Sequence, residues 1–211
     1  VGAGPAGLCL ARRLAGADAS FAVFERNGDV GGVWDIDAPG SPMYESAHFI
    51  SSKTLSGFPG FPMPDRYPDY PNHRQILDYI RSYADRFDLR RHIQFDCGVL
   101  HAALDADGSW KLDLSDGKSV KARYLVCANG VTGEPHIVTW PGRFDGEIRH
   151  SVTYRDVGEL AGRRVLVIGA GNSGVDIACD AAFAAEQAFL SVRRGYHFIP
   201  KHIFGTPSDV F

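Results

Sequence analysis

Gly2, Gly4 and Gly7 at one end of the sequence recur at the same spacing as Gly169, Gly171 and Gly174. Glycines spaced in this way between an apolar strand and a helix can lie against a pyrophosphate. The first makes the tight turn, the second admits the phosphates to the backbone, and the third lets the helix pack on the strand. The amides at the helix start then face the negative charge. Pro5 and Ala6 complete the first loop, Asn172 and Ser173 the second. Each loop has the flanking pattern it needs: Leu8, Leu10 and Leu14 at helical spacing and then Phe21 to Phe24 for the first, Val165 to Ile168 before and Phe189 to Val192 after the second. Two dinucleotide sites in one chain are predicted, each an α/β unit of the Rossmann-like type.

The charge at the end of each second strand separates the sites, because that side chain meets the ribose of the bound nucleotide. Phe21 to Phe24 ends in Glu25, followed by Arg26, and a carboxylate there accepts the two hydroxyls of an unphosphorylated ribose. Phe189 to Val192 ends in Arg193 and Arg194, whose guanidinium groups can grip a 2′-phosphate bidentately. FAD on the first loop and NADPH on the second are therefore expected.

The elements that must hold these loops follow from patterning. The apolar set Ile76, Leu77, Ile80, Tyr83, Ala84 and Phe87 predicts a helix with one core face. From about 93 to 127 the period switches to strands, with Asp107-Gly108 and Asp116-Gly117 as hairpin turns, so a three-stranded antiparallel insertion is expected. Its last strand runs into Tyr124 to Gly130, expected to be buried and to bring Asn129 and Gly130 back to the first cofactor. Gly31 and Gly32, with Val33 and Trp34, permit close backbone approach to another part of that cofactor. The proline-rich stretch Ser56 to Pro71 predicts an irregular surface segment.

In a chain of 211 residues, 45% hydrophobic and with formal net charge −3, the composition is that of an ordinary globular protein and points to no nucleic-acid partner. No apolar run reaches the roughly 18 residues of a membrane span, and a cytoplasmic location is the default expectation. Cys9, Cys97, Cys127 and Cys179 are scattered singly and are expected to be small buried hydrophobes, with no disulfide, no dithiol motif and no metal site. The strand feeding Gly2 is nearly absent and the second unit halts soon after one βαβ piece, so a fragment of a longer enzyme is expected. The expected domains are residues 1–150 for FAD, including the insertion, and 151–211, incomplete, for NADPH.

Between the two loops stand Phe144, Gly146, His150 and Tyr154, in Phe-Asp-Gly-Glu-Ile-Arg-His-Ser-Val-Thr-Tyr. This arrangement resembles the identifying motif of the flavin-containing monooxygenases, class B flavoprotein oxygenases. Gly31-Gly32-Val33-Trp34, Phe58-Pro59-Gly60-Phe61-Pro62, Tyr67-Pro68 and Val167 to Gly174 extend the resemblance over nearly the whole chain. Baeyer-Villiger relatives end the same motif in Trp-Pro, where this chain has Tyr154-Arg155. The resemblance implies that NADPH reduces FAD, that oxygen adds at the flavin C4a carbon, and that an amine nitrogen or a sulfur attacks the resulting hydroperoxide. It implies no side-chain nucleophile, and His150 is expected to shape the connection between the units. The implied partners are a small-molecule substrate and molecular oxygen, with a homodimer left open.

One position departs from the family. Three residues before Lys53 the family carries an asparagine whose amide helps hold the flavin peroxide, and here that residue is Ile50. An isoleucine donates no hydrogen bond, so Ser51, Ser52 or His48 must substitute, or peroxide leaks. Three readings stay open: a monooxygenase, an NADPH oxidase or reductase without productive oxygen transfer, and a non-catalytic nucleotide-binding fragment.

Overall fold

The computed structural model describes residues 1–211. The chain divides into two compact units, Val1–Gly40 with Leu77–Thr132, and Ser41–Ile76 with Gly133–Phe211. It passes between them three times, whereas the sequence suggests a single cut near residue 150.

The first unit opens with helix α1, Pro5–Ala15, which buries Gly7, Leu8 and Ala11. Proline suits the first helical position, where an amide would have no intrahelical partner. Strand β1, Val23–Phe24, is shorter than the run Phe21 to Phe24, and it pairs in parallel with β2, Ile93–Gln94. The antiparallel insertion forms as β3, Val99–Leu104, β4, Trp110–Leu114, and β5, Ser119–Ala122, in that order across the sheet. Gly108 and Gly117 take positive φ, 79° and 84°, at the two turns, which is why each turn ends in glycine. Phe24, Cys97, Leu112 and Leu114 form a buried cluster that joins β1 to the insertion.

The stretch Tyr124 to Gly130 is not a buried strand: Tyr124 and Val126 are exposed and no strand is assigned there. Only Val1 lies alongside to pair, its N-terminus donating to the Val126 carbonyl and its carbonyl accepting from Ala128 N–H. A single residue makes too short a ladder to define a strand.

Helix α3, His73–Arg86, carries the predicted core face, with Ile76, Leu77, Tyr79, Ile80, Tyr83 and Ala84 all buried. Asn72 and Gln75 cap its start reciprocally, the Asn72 side chain accepting from Gln75 N–H and the Gln75 side chain from Asn72 N–H. In the second unit, α2 is the short helix Lys53–Ser56. The proline-rich segment after it is irregular as expected, yet it is anchored: Met63, Tyr67 and Pro71 are buried. Strand β6, Arg164–Ile168, helix α4, Asn172–Ala184, and strand β7, Gln187–Ser191, make one βαβ piece with parallel pairing. A small hairpin follows, β8, His202–Ile203, and β9, Thr206–Pro207.

All four cysteines are free, and of them only Cys97 is buried. Cys127 and Cys179 are exposed, one on the stretch before Asn129 that pairs with Val1 and the other on α4, so the expectation of buried thiols holds for one position. No helix is long and apolar enough to cross a membrane.

Candidate functional site

The first glycine loop is fixed by the protein at two of its three glycines. Gly2 has φ 99°, and a Cβ there would lie 2.5 Å from the Ala128 carbonyl oxygen. A Cβ at Gly7 would run into the Gly2 carbonyl. Gly4 differs. Its backbone is extended, φ −75° and ψ −177°, a conformation open to any residue, and a Cβ would meet only Gly32, its Cα at 3.6 Å and its N at 4.0 Å. The space over Gly4 is thus left free by the protein itself. Beside it, α1 begins with no side-chain cap, so the amides of Ala6 and Gly7 are available to an anion. A pyrophosphate fits what these residues leave open.

Glu25 is buried, 5% exposed, and does more than sequence reasoning assigns to it. Its Oε2 accepts from Ala3 N–H at 2.7 Å and its Oε1 from Asn27 N–H at 2.9 Å, pinning the loop from below. A carboxylate has about four acceptor sites, so these two amides use roughly half its capacity. Arg26, next to it, is exposed.

Gly31 and Gly32 meet this loop. Gly31 N–H donates to the Ala3 carbonyl, and a Cβ on Gly32 (φ 59°) would sit 3.1 Å from the Gly4 Cα. Val33 and Trp34 follow in the 3-10 turn Gly32–Trp34. Asp29 holds this turn against α3. Arg81 Nε and Arg90 Nη1 each donate to its carboxylate at 2.7 Å, and Val30 N–H donates to it as well. Burial disfavours the Asp29 carboxylate, but hydrogen bonds from Arg90, Val30 and Arg81 outweigh it and keep the carboxyl below the usual range. Asn129 arrives at the loop as expected, its Cα 3.3 Å from where a Gly2 Cβ would be, and Gly130 follows at φ 75°.

The second loop repeats the first almost to the degree. Gly169 has φ 100°, Gly171 starts α4 at φ −73° and ψ −179°, and a Cβ on Gly174 would strike the Gly169 carbonyl. Here too the helix has no side-chain cap, leaving the amides of Asn172, Ser173 and Gly174 available. Gly169 N–H donates to the Ser191 carbonyl, which ties the loop to the end of β7 two residues before Arg193. Arg193 and Arg194 follow β7 and are exposed. His202 is taken up by Asp69 at 3.1 Å.

Two of the four motif residues make contacts that order this unit. Phe144 is exposed, and its ring edge lies 2.5 Å from where a Cβ on Gly146 would be. His150 caps a turn, its Nδ1 accepting from Val152 N–H at 3.1 Å. Tyr154 is buried and donates to Asp180 Oδ2 on α4 at 2.7 Å. Arg155, which stands where the Baeyer-Villiger motif has proline, donates to the carbonyls of Ser41 at 2.7 Å and Met43 at 2.9 Å. Tyr44 donates to Asp176 at 2.8 Å and Ser46 to Asp180 at 2.6 Å. Sequence reasoning missed Asp176, Asp180 and Arg155. The signal for the aspartates was their i, i+4 spacing right after the glycine loop, which places both on one helix face.

Of the residues expected near the flavin, Ile50 is exposed, 66%. Ser51 Oγ is engaged with Ser56 Oγ at 2.6 Å. Ser52 is fully buried, and its Oγ has no partner. The ring of His48 lies between the Ser46 carbonyl and Lys201. None of the three stand-in donors is both free and accessible.

Two glycine loops of one geometry, differing in the charge that follows them, define a protein built around two dinucleotides. The family model described as FMO-like, flavin-binding monooxygenase-like, matches residues 1–211. The chain is 35% identical over 212 residues to the probable indole-3-pyruvate monooxygenase YUCCA9 of Arabidopsis thaliana, covering 97% of this chain and 49% of that protein. It is 35% identical over 235 residues to flavin-containing monooxygenase 5 of Mus musculus, covering 100% of this chain and 42% of that one. Among solved structures, S-allyl-L-cysteine S-oxygenase from Allium sativum matches with a TM-score of 0.82 at 27% identity, over 97% of this chain and 53% of that chain. An oxidized steroid monooxygenase bound to NADP matches with a TM-score of 0.74 at 33% identity, over 94% of this chain and 39% of that one.

The chain belongs to the flavin-binding monooxygenase-like family, and its fold is the α/β, two-unit Rossmann type with a small antiparallel insertion. It spans about half the length of the curated relatives it matches.

Proposed function

We propose that this chain is the dinucleotide-binding part of an NADPH- and FAD-dependent monooxygenase that oxygenates a soft nucleophile, an amine nitrogen or a sulfur. FAD lies on Gly2 to Gly7 in the part assigned to residues 1–150, and NADPH on Gly169 to Gly174 in residues 151–211. The observation that carries this reading is that Gly4 and Gly171 leave room for a Cβ in the protein itself. Neither is needed for folding geometry, and both are where a pyrophosphate must approach. The NADP in the related steroid monooxygenase supports the nucleotide assignment.

When bound, the flavin supplies hydride acceptance and oxygen activation. The chain's residues do the rest. Glu25 fixes the first loop and offers its remaining acceptor sites to a ribose. The uncapped starts of α1 and α4 hold phosphate charge. Arg193 and Arg194 select the phosphorylated nucleotide.

Ile50 favours a second reading, an NADPH oxidase with weak oxygen transfer, because Ser51, Ser52 and His48 are occupied or inaccessible. The deciding experiment gives the flavin-loaded full-length protein NADPH, oxygen and a tertiary amine or a thioether. Oxygenated product near one per NADPH supports the monooxygenase; hydrogen peroxide near one per NADPH, in a protein whose flavin NADPH reduces, supports the oxidase. A protein that takes up neither FAD nor NADPH contradicts both.

A further inference from the structure

Helix α4 is held along one face by side chains from two distant stretches of the second unit. Asp176 and Asp180 are one turn apart on it. Asp176 accepts from the Tyr44 hydroxyl, and Asp180 accepts from both Tyr154 and Ser46. Tyr44 and Tyr154 are both buried, and their rings lie 5.7 Å apart. Behind them, Arg155 binds the Ser41 and Met43 carbonyls, and Glu45 N–H donates to the Arg155 carbonyl. The stretch that reaches Ile50 is therefore bolted to the same helix whose first turn forms the second glycine loop.

We propose that Tyr154, Tyr44 and Ser46 are positioning residues for the second nucleotide, which act through Asp180 and Asp176 to fix α4 so that its first-turn amides meet the pyrophosphate. This rests on the reading of that loop as a nucleotide site. An uncapped helix start binds an anion only where its amides converge, and a helix free to slide or rotate loses that convergence. The two hydroxyls are suited to the task because they stay donors. Burial first, and hydrogen bonding to the aspartates second, push both phenols well above the usual tyrosine range, with the Ser173 hydroxyl opposing slightly at Tyr44. Serine at 46 adds a shorter arm to the carboxylate that Tyr154 already holds.

The test uses the flavin-loaded full-length protein and NADP⁺ as the probe. A hydrogen bond to a charged group corresponds to about ten-fold or more in an equilibrium constant. Tyr154→Phe keeps the ring, so it should weaken NADP⁺ binding about ten-fold by calorimetry while flavin content stays stoichiometric. Ser46→Ala, a milder change, should weaken it a few-fold. Adding Asp180→Asn to Tyr154→Phe should recover part of the loss by neutralising a carboxylate left with Ser46 as its one remaining donor. In parallel, hydrogen exchange without nucleotide should speed up at the α4 amides in Tyr154→Phe. Unchanged affinity in both single variants overturns the proposal, as does unchanged exchange along α4. A wild type that fails to bind NADP⁺ refutes the nucleotide assignment instead, and the exchange result still decides whether the clamp sets the helix.

Discussion

The two glycine loops have one backbone and two surroundings. Gly2 and Gly169 differ by 1° in φ, 99° against 100°, and both third glycines back onto the carbonyl of the first. Around the first loop the protein closes in. The Ala128 carbonyl lies over Gly2, Gly31 and Gly32 come alongside, and Glu25 is buried beneath. Around the second, a Cβ on Gly169 or Gly171 would find nothing within 4 Å, and every residue of β7 is exposed. Loop conformation therefore belongs to the motif, whereas what surrounds it decides how tightly the site is built. A site with buried, pinned partners suits a cofactor that stays bound.

The largest contrast should come from a single methyl group. Gly2→Ala meets both an unfavourable φ and the Ala128 carbonyl, whereas Gly169→Ala meets only the φ. Backbone strain at positive φ costs about 1 to 2 kcal/mol and overpacking adds about 1 to 3. Denaturant unfolding should then show Gly2→Ala as the more damaging by about 1 to 3 kcal/mol, and equal losses would erase the distinction between the two surroundings.

Next in size is the arginine pair. Arg193→Ala with Arg194→Ala should reduce the preference for NADPH over NADH in flavin reduction by about ten- to a hundred-fold, from about 1.5 to 3 kcal/mol of charge-assisted contact. A preference that survives the double substitution would place the 2′-phosphate elsewhere.

The smallest effects are pH limits, and they fall on opposite sides. The Asp29 carboxyl is held below its ordinary value of 3.8, so the stability it contributes is present above that value and lost as pH falls through the lower folded one. Tyr44 and Tyr154 are raised above 10.0, so theirs is whole below that value and lost as pH rises beyond it. Asp29 is partly exposed, so solvent screening keeps its contribution to about 1 kcal/mol or less. Asp29→Asn should flatten the acid limb of a stability profile, and Tyr154→Phe the alkaline limb. Swapped limbs would contradict the assignments.

Local chemistry was legible in the sequence wherever spacing alone dictates geometry. The two loops, the core face of α3 and the hairpin glycines at 108 and 117 all follow from periodicity or from a turn that only glycine makes. What depends on distant partners was not legible. Tyr124 to Gly130 has the composition of a buried strand, but Val1 alone pairs with it. The double duty of Glu25 needs the Ala3 and Asn27 amides brought to it by the fold. Asp176 and Asp180 read as the polar side of an ordinary helix until Tyr44, Ser46 and Tyr154 are seen against them. Of the crossings between units, the one at residue 76 falls inside α3 and has no local sequence signal, whereas Pro39-Gly40-Ser41-Pro42 marks the one at residue 40.

The central claim is that Gly4 and Gly171 keep space for two different nucleotides rather than for the protein's own packing. It is tested most directly by placing valine at each in the full-length protein and measuring flavin absorbance, NADP⁺ binding and unfolding together. Both variants should fold, because the backbone at each is extended and a Cβ meets at most an ordinary contact at 3.6 Å. Gly4→Val should be colourless, and Gly171→Val should keep its flavin and lose NADP⁺. Stoichiometric flavin in folded Gly4→Val, or undiminished NADP⁺ binding in folded Gly171→Val, would contradict it.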